Sequence, residues 1–190
     1  MVFIFDNYDS FTYNLVQLVE TLGREVHVVA NDITDIAYLE EMKPEQIIIS
    51  PGPGRPENAG LSVDLIHRFY KKIPILGVCL GLQCIGLAFG VPTQPAKRML
   101  HGMTTPVFHK GSLLFKGVSN PFDAARYHSL AIKNVPTDFH LSAWDDKNEI
   151  LGIEHKIYPL FGVQFHPESF MTPQGKEIIK NFLKTRITHQ

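Results

Sequence analysis

Apolar residues along this chain follow one rhythm up to about residue 91 and a different one afterwards. Val2 to Phe5 is a continuous apolar run, the pattern of a strand buried on both faces. After the polar stretch Asp6 to Ser10, apolar residues recur at Phe11, Leu15, Leu18, Val19 and Leu22, which is helical spacing. The pairing then repeats. Strand-like Glu25 to Ala30 precedes a short helix near Ile36 to Met42. Gln46 to Ser50 precedes a helix with Leu61, Leu65, Ile66 and Phe69 on one face. Ile75 to Val78 is the fourth strand, and a helix begins just after Cys79. Strand alternating with helix predicts an open, mostly parallel sheet covered by helices on both faces.

Beyond Pro92 the runs shorten. Val107 to Phe108, Leu113 to Phe115, Leu141 to Trp144, Ile150 to Glu154 and Phe161 to Phe165 are separated by turn residues, and Asp145 to Asn148 reads as a hairpin loop. This part predicts antiparallel strands appended to the parallel sheet. Pro173 to Ile187 predicts a closing helix with Ile178, Ile179, Phe182 and Leu183 facing inward. At 190 residues, with no repeat, low-complexity tract or linker, the chain is read as one domain over 1–190.

Composition narrows the options. Apolar residues make up 44%, too many for a disordered chain. A formal net charge of −1 and no basic run argue against a nucleic-acid partner. Cys79 and Cys84 form neither a disulfide framework nor a C-x-x-C pair, which fits a reducing cytoplasm. The N-terminus lacks a basic region, and its apolar run is short for a signal peptide. Ile75 to Val91 holds one strongly polar residue, Gln83, and approaches the roughly 20 apolar residues that span a bilayer. Glycines at 77, 81, 86 and 90 interrupt it, so a strand, turn and helix explain it better and no membrane association is expected.

Three segments carry candidate chemistry. Gly77-Val78-Cys79-Leu80-Gly81 lies between a buried strand and a helix, the arrangement of a nucleophile elbow with cysteine in place of serine. The turn strains Cys79, the helix N-terminus favours a thiolate, and the Leu80 N–H is aimed at a developing oxyanion. A small buried cysteine in a turn is the plain alternative. Gln164-Phe165-His166-Pro167-Glu168 supplies an imidazole and a carboxylate two residues apart, on one side of an extended path. A surface His-Pro-Glu turn is the alternative here, and a metal site lacks a third ligand at zinc-like spacing. In Ser50-Pro51-Gly52-Pro53-Gly54 the prolines carry no N–H, so Gly52 and Gly54 are the available donors. Either this loop completes an oxyanion hole or it is an ordinary turn. All these segments follow predicted strands, and open α/β sheets bind ligands at the carboxyl ends of their strands.

These motifs together resemble the class I glutamine amidotransferases. Asp6 to Asn14, Tyr127-His128-Ser129-Leu130 and His101-Gly102 are similar to the branch serving anthranilate synthase and aminodeoxychorismate synthase. The resemblance covers about residues 2 to 184. It implies the flavodoxin-like fold of that family and hydrolysis of L-glutamine to glutamate and ammonia. Cys79 would be the nucleophile that forms a glutamyl thioester, His166 the general base and acid, and Glu168 its orienting carboxylate. Gly52 and Leu80 would form the oxyanion hole, and Gln83, Ser129 and Leu130 would contact the amino-acid end of glutamine. The implied partner is a larger, chorismate-binding synthase subunit. No cofactor or metal is expected in this chain, and magnesium is expected in the partner. Two positions depart from the branch: Leu82 stands where histidine is usual, and Met103 where lysine commonly follows His-Gly. The competing functions are a stand-alone cysteine hydrolase and a catalytically silent regulatory subunit.

Overall fold

The computed structural model describes residues 1–32, 35–100 and 102–187. The apolar runs of the N-terminal half become β1 (Val2–Asp6), β2 (Val26–Ala30), β3 (Gln46–Ile49) and β4 (Ile75–Val78). They pair in parallel in the order β2-β1-β3-β4. Between and after them run α1 (Thr12–Thr21), α2 (Ala37–Glu41), α3 (Ser62–Phe69) and α4 (Leu80–Ala88). Side chains alternate along a strand, so each strand feeds two cores. Val2 and Ile4 pack with Leu15 and Val19 of α1. Phe3 and Phe5 pack on the opposite face with Leu65 and Phe69 of α3 and Leu82 and Ile85 of α4. Helices thus cover both faces, as the continuous apolar runs require.

The first turn of α4 sits directly on the sheet. A Cβ on Gly77 would lie 2.4 Å from the Gly81 backbone, and one on Gly81 would lie 2.5 Å from the Ile49 carbonyl oxygen. Only glycine permits this approach, and it brings the residue between them to the edge of the sheet.

The C-terminal half adds β5 (Thr93–Pro95), β6 (Met103–His109), β7 (Phe122–Arg126), β8 (Leu130–Ile132), β9 (Phe139–Trp144), β10 (Ile150–His155), β11 (Leu160–Val163) and α5 (Gly175–Leu183). The main sheet runs β2-β1-β3-β4-β11-β10-β9-β6-β7, and β5 and β8 form a separate ribbon. From β11 to β7 each neighbouring pair is antiparallel. Asp145 closes the β9–β10 hairpin, its carboxylate accepting the N–H groups of Lys147 and Glu149 at 2.9 Å each.

The sequence expectations need three corrections here. The strand at Phe161 to Val163, grouped with the antiparallel set, runs parallel to β4, with Val163 opposite Val78. Strand direction is set by the connection, and apolar content carries no record of it. Leu113–Phe115 is a single 3-10 turn. Its buried Leu114 and Phe115 anchor a loop, and the Asn181 amide of α5 donates to the Leu114 and Lys116 carbonyls at 3.0 and 2.8 Å. The closing helix is also shorter than expected, ending at Leu183, where the Thr185 hydroxyl takes the Phe182 carbonyl at 2.7 Å. The strands β5, β7 and β8 were not anticipated, because runs such as Phe-Asp-Ala-Ala-Arg lack an apolar period. Among the described residues no helix is long and apolar enough to cross a membrane.

Candidate active site

The carboxyl ends of β1, β3, β4 and β11 lie together, and each strand delivers one part of a site. Cys79 follows β4 with φ 53° and ψ −101°, a conformation that costs a non-glycine residue about 1–3 kcal/mol. It is held by hydrogen bonds on both sides: its N–H donates to the Val163 carbonyl at 2.8 Å, and its carbonyl accepts the Gln83 N–H at 3.2 Å. The turn leaves the side chain at the head of α4, only 7% exposed. The backbone strain expected of an elbow is therefore present.

Because β11 is the neighbour of β4, residues 164–168 emerge beside Cys79. They do not continue as extended chain. The Ser169 N–H donates to the His166 carbonyl at 3.3 Å, a turn with Pro167 in the second position, where proline's fixed φ is favoured. Across this turn His166 Nδ1 and Glu168 Oε1 meet at 2.6 Å. The expected pair forms, through a turn rather than a strand periodicity. The His166 N–H donates to the Ala125 carbonyl at 3.0 Å, and the Thr172 hydroxyl donates to the His166 carbonyl at 2.7 Å. Tyr127 and Phe11 wall the imidazole, with ring centroids 4.9 and 5.9 Å away.

Among the described residues His166 Nε2 has no hydrogen-bond partner, so it can serve a reacting group. Burial opposes a charge on this ring, but the Cys79 thiolate and the Glu168 carboxylate outweigh it and hold His166 well above the ordinary histidine range. The surroundings thus favour the imidazolium form of His166. Burial within α4 pushes the Cys84 thiol up to about 12, so it stays neutral.

Gly52, Pro53 and Gly54 of the loop after β3 join Cys79, Leu80, Gln83 and Tyr127 to Leu130 around a cavity of about 160 Å³. That is below the roughly 300–1,000 Å³ of sites for drug-sized ligands, and it suits one small molecule. Gly52, Leu80, Gln83, Ser129 and Leu130 all stand in its wall. Gln83 Nε2 donates to the Leu130 carbonyl at 3.0 Å and to Gln164 Oε1 at 3.3 Å, while Gln164 Nε2 lies 3.5 Å from Cys79 Sγ. Gln164 was missed as a site residue, although it stands two places before His166 in the same motif. A second cleft, of about 420 Å³, opens on the other side of Cys79 between Tyr8–Phe11, Pro51–Pro53, Tyr127 and His166.

The Tyr127–Leu130 wall rests on buried charge. The Arg126 guanidinium, fully buried, pairs with Asp145 at 2.7 Å and with Glu149, and His128 Nε2 shares Glu149 Oε1 at 3.0 Å. Burial pushes His128 below the ordinary histidine range. Arg126 is 19 and 23 residues from its two carboxylates, so no local pattern announces the cluster. Of the two departures, Leu82 is core: it is fully buried, and a Cβ on Gly162 would lie 3.0 Å from it. It lines neither recess. Met103 is exposed at the start of β6, and His101 lies outside the described residues.

Residues 3–185 match the family model for glutamine amidotransferase class-I. The chain belongs to the class I glutamine amidotransferases. This amidotransferase is 52% identical over 186 residues to the bifunctional protein TrpGD of Thermotoga maritima, which covers 96% of the chain. It spans only about a third, 32%, of that relative's length. It is 48% identical over 187 residues to the aminodeoxychorismate/anthranilate synthase component 2 of Bacillus subtilis, covering 97% of this chain and 96% of that one. A solved glutamine amidotransferase from Thermotoga maritima shares the fold, with a TM-score of 0.77 at 15% identity over 96% of each chain.

Proposed function

We propose that the amidotransferase supplies ammonia to a chorismate-aminating synthase subunit, anthranilate synthase or aminodeoxychorismate synthase, and so serves tryptophan or folate synthesis. The observation that carries this reading is the convergence on a strained Cys79 of two recesses, one walled by Gly52, Gln83 and Ser129–Leu130 and the other by His166, which Glu168 holds. The Bacillus subtilis relative bears both synthases in its name, which supports keeping both acceptors. A silent regulatory subunit would have no use for so complete a constellation.

In this mechanism L-glutamine lies with its amino-acid end against Gln83, Ser129 and Leu130. The Cys79 thiolate attacks the side-chain carboxamide carbon, and the N–H groups of Gly52 and Leu80 receive the oxyanion. His166, already protonated, gives its proton to the departing nitrogen. Ammonia leaves, and a glutamyl thioester remains on Cys79. His166 then takes a proton from water, which attacks the thioester and releases glutamate. Glu168 fixes the imidazole tautomer and steadies its charge. The cleft beside Tyr8 and His166 offers ammonia an exit away from the amino-acid end.

Gly52→Val tests the oxyanion hole. A Cβ at Gly52 would stand 2.5 Å from Asn7 Cβ and 2.7 Å from Leu80 Cδ2, so the loop must move and carry the N–H with it. Turnover is expected to fall at least about a hundredfold, with Cys79 alkylation by a small reagent nearly intact. Normal turnover would remove Gly52 from the site.

The pathway is tested by copurifying the synthase and identifying the product made from chorismate and glutamine. Glutamate release should rise roughly tenfold or more when the synthase joins, as coupling energies of about 1–3 kcal/mol allow, and further with chorismate. A flat rate across the chain alone, the complex and the complex with chorismate would favour the stand-alone hydrolase.

A further inference from the structure

The Gly52 N–H can stabilise an oxyanion only if its peptide plane is held, and the loop cannot hold itself. Pro51 and Pro53 flank Gly52 and have no N–H to tie down. The restraint comes from outside. The Ser50 hydroxyl donates to the Pro51 carbonyl at 2.6 Å. That carbonyl and the Gly52 N–H belong to one planar peptide unit and point in opposite directions. Fixing the oxygen therefore fixes the N–H.

Ser50 is in turn braced by Asn7, at the end of the neighbouring strand β1. The Asn7 N–H donates to Ser50 Oγ, and Asn7 Nδ2 donates to the Ser50 carbonyl, both at 2.9 Å. Asn7 Oδ1 accepts Asn31 Nδ2 and the Ser62 hydroxyl, also both at 2.9 Å. All four residues are buried. Ser50, Asn7, Asn31 and Ser62 are absent from the walls of both recesses. A hydroxyl whose proton is spent on the carbonyl of the very next residue adds little to the tertiary fold, but it sets one peptide's orientation.

We infer that Ser50 is a positioning residue for catalysis: its hydroxyl, oriented by Asn7, aims the Gly52 N–H at the oxyanion. The inference rests on the proposed role of Gly52. Without the hydroxyl, the Pro51–Gly52 peptide is free to rotate and to turn its carbonyl toward the developing negative charge.

The test is a double-mutant cycle in the full chain, read as glutamate release at varied glutamine. Ser50→Ala should lower kcat roughly tenfold to a hundredfold, less than or equal to the loss of one oxyanion donor, with KM changed less than about twofold and Cys79 alkylation unchanged. In the Gly52→Val background the same substitution should cost almost nothing, because residues acting as a unit are not additive. Undiminished kcat in Ser50→Ala, or an equal further loss in the Gly52→Val background, would overturn the inference. Normal turnover in Gly52→Val alone would instead overturn the oxyanion role beneath it. Asn7→Asp keeps the acceptor for Asn31 and Ser62 but loses the donor to the Ser50 carbonyl. It should lower kcat severalfold by the same route, and it decides the matter if Ser50→Ala does not fold. An Asn7→Asp enzyme with full kcat would then count against the inference.

Discussion

Cys79→Ser is expected to abolish glutamine-dependent synthesis by the reconstituted complex, lowering glutamate release by at least about 10⁴-fold, as loss of a nucleophile commonly does. A serine hydroxyl ionises far less readily than a thiol, and the site offers it little compensation. Burial opposes a charge on His166, and the negative charge that Cys79 carries when it attacks favours one. With that charge removed, burial gains weight against the imidazolium, so the variant loses its nucleophile and weakens its acid in one step. Cys84 provides no bypass, because it is a neutral thiol buried in α4. Added ammonium salt should still support product formation, since the proposed scheme assigns that step to the synthase subunit. The measurement is product formation from chorismate with glutamine and then with ammonium. Loss of both activities in a folded complex would show that the division of labour is wrong.

His166→Ala should lower glutamate release at saturating glutamine by roughly 10²–10⁴-fold, the range for losing a general acid–base. Glu168→Gln should cost less, because a neutral amide can still meet Nδ1. The two substitutions also differ in stability. The Glu168 side chain is fully buried, and among the described residues its Oε2 has no partner and its Oε1 meets the imidazole. Removing that ring leaves a buried, unpaired carboxylate, a change that typically costs about 3–5 kcal/mol. The double variant His166→Ala with Glu168→Gln should therefore melt higher than His166→Ala while remaining equally inactive. A larger loss of rate at Glu168 than at His166 would require the two roles to be exchanged.

Much of this protein was legible from periodicity and motif alone. Continuous apolar runs of four or five residues are what a strand needs when it is covered on both faces, and they announced β1, β3 and β4 together with the helices between them. Glycines flanking a cysteine after such a run marked the elbow, because only a residue without a Cβ lets α4 rest on β3 and β4. The placing of Cys79 and Gly52 on one edge followed from the rule that parallel strands present their carboxyl ends together.

What the tertiary structure alone decided is how distant segments meet. The direction of β11 is not written in Leu-Phe-Gly-Val. It follows from pairing with β4, and that pairing brings His166 to Cys79 across 87 positions of sequence rather than to the far end of the sheet. His166 and Glu168 join through a proline turn pinned to β7, a strand with no apolar signature of its own. The buried Arg126 cluster and the Asn7–Ser50 network are built from polar residues that look like loop residues in sequence. Burying such groups is tolerable when charged and hydrogen-bonding partners arrive from elsewhere in the fold. Local residues can therefore specify the elements and the reactive groups, whereas the orientation of those groups depends on hydrogen bonds that exist only after the chain has closed.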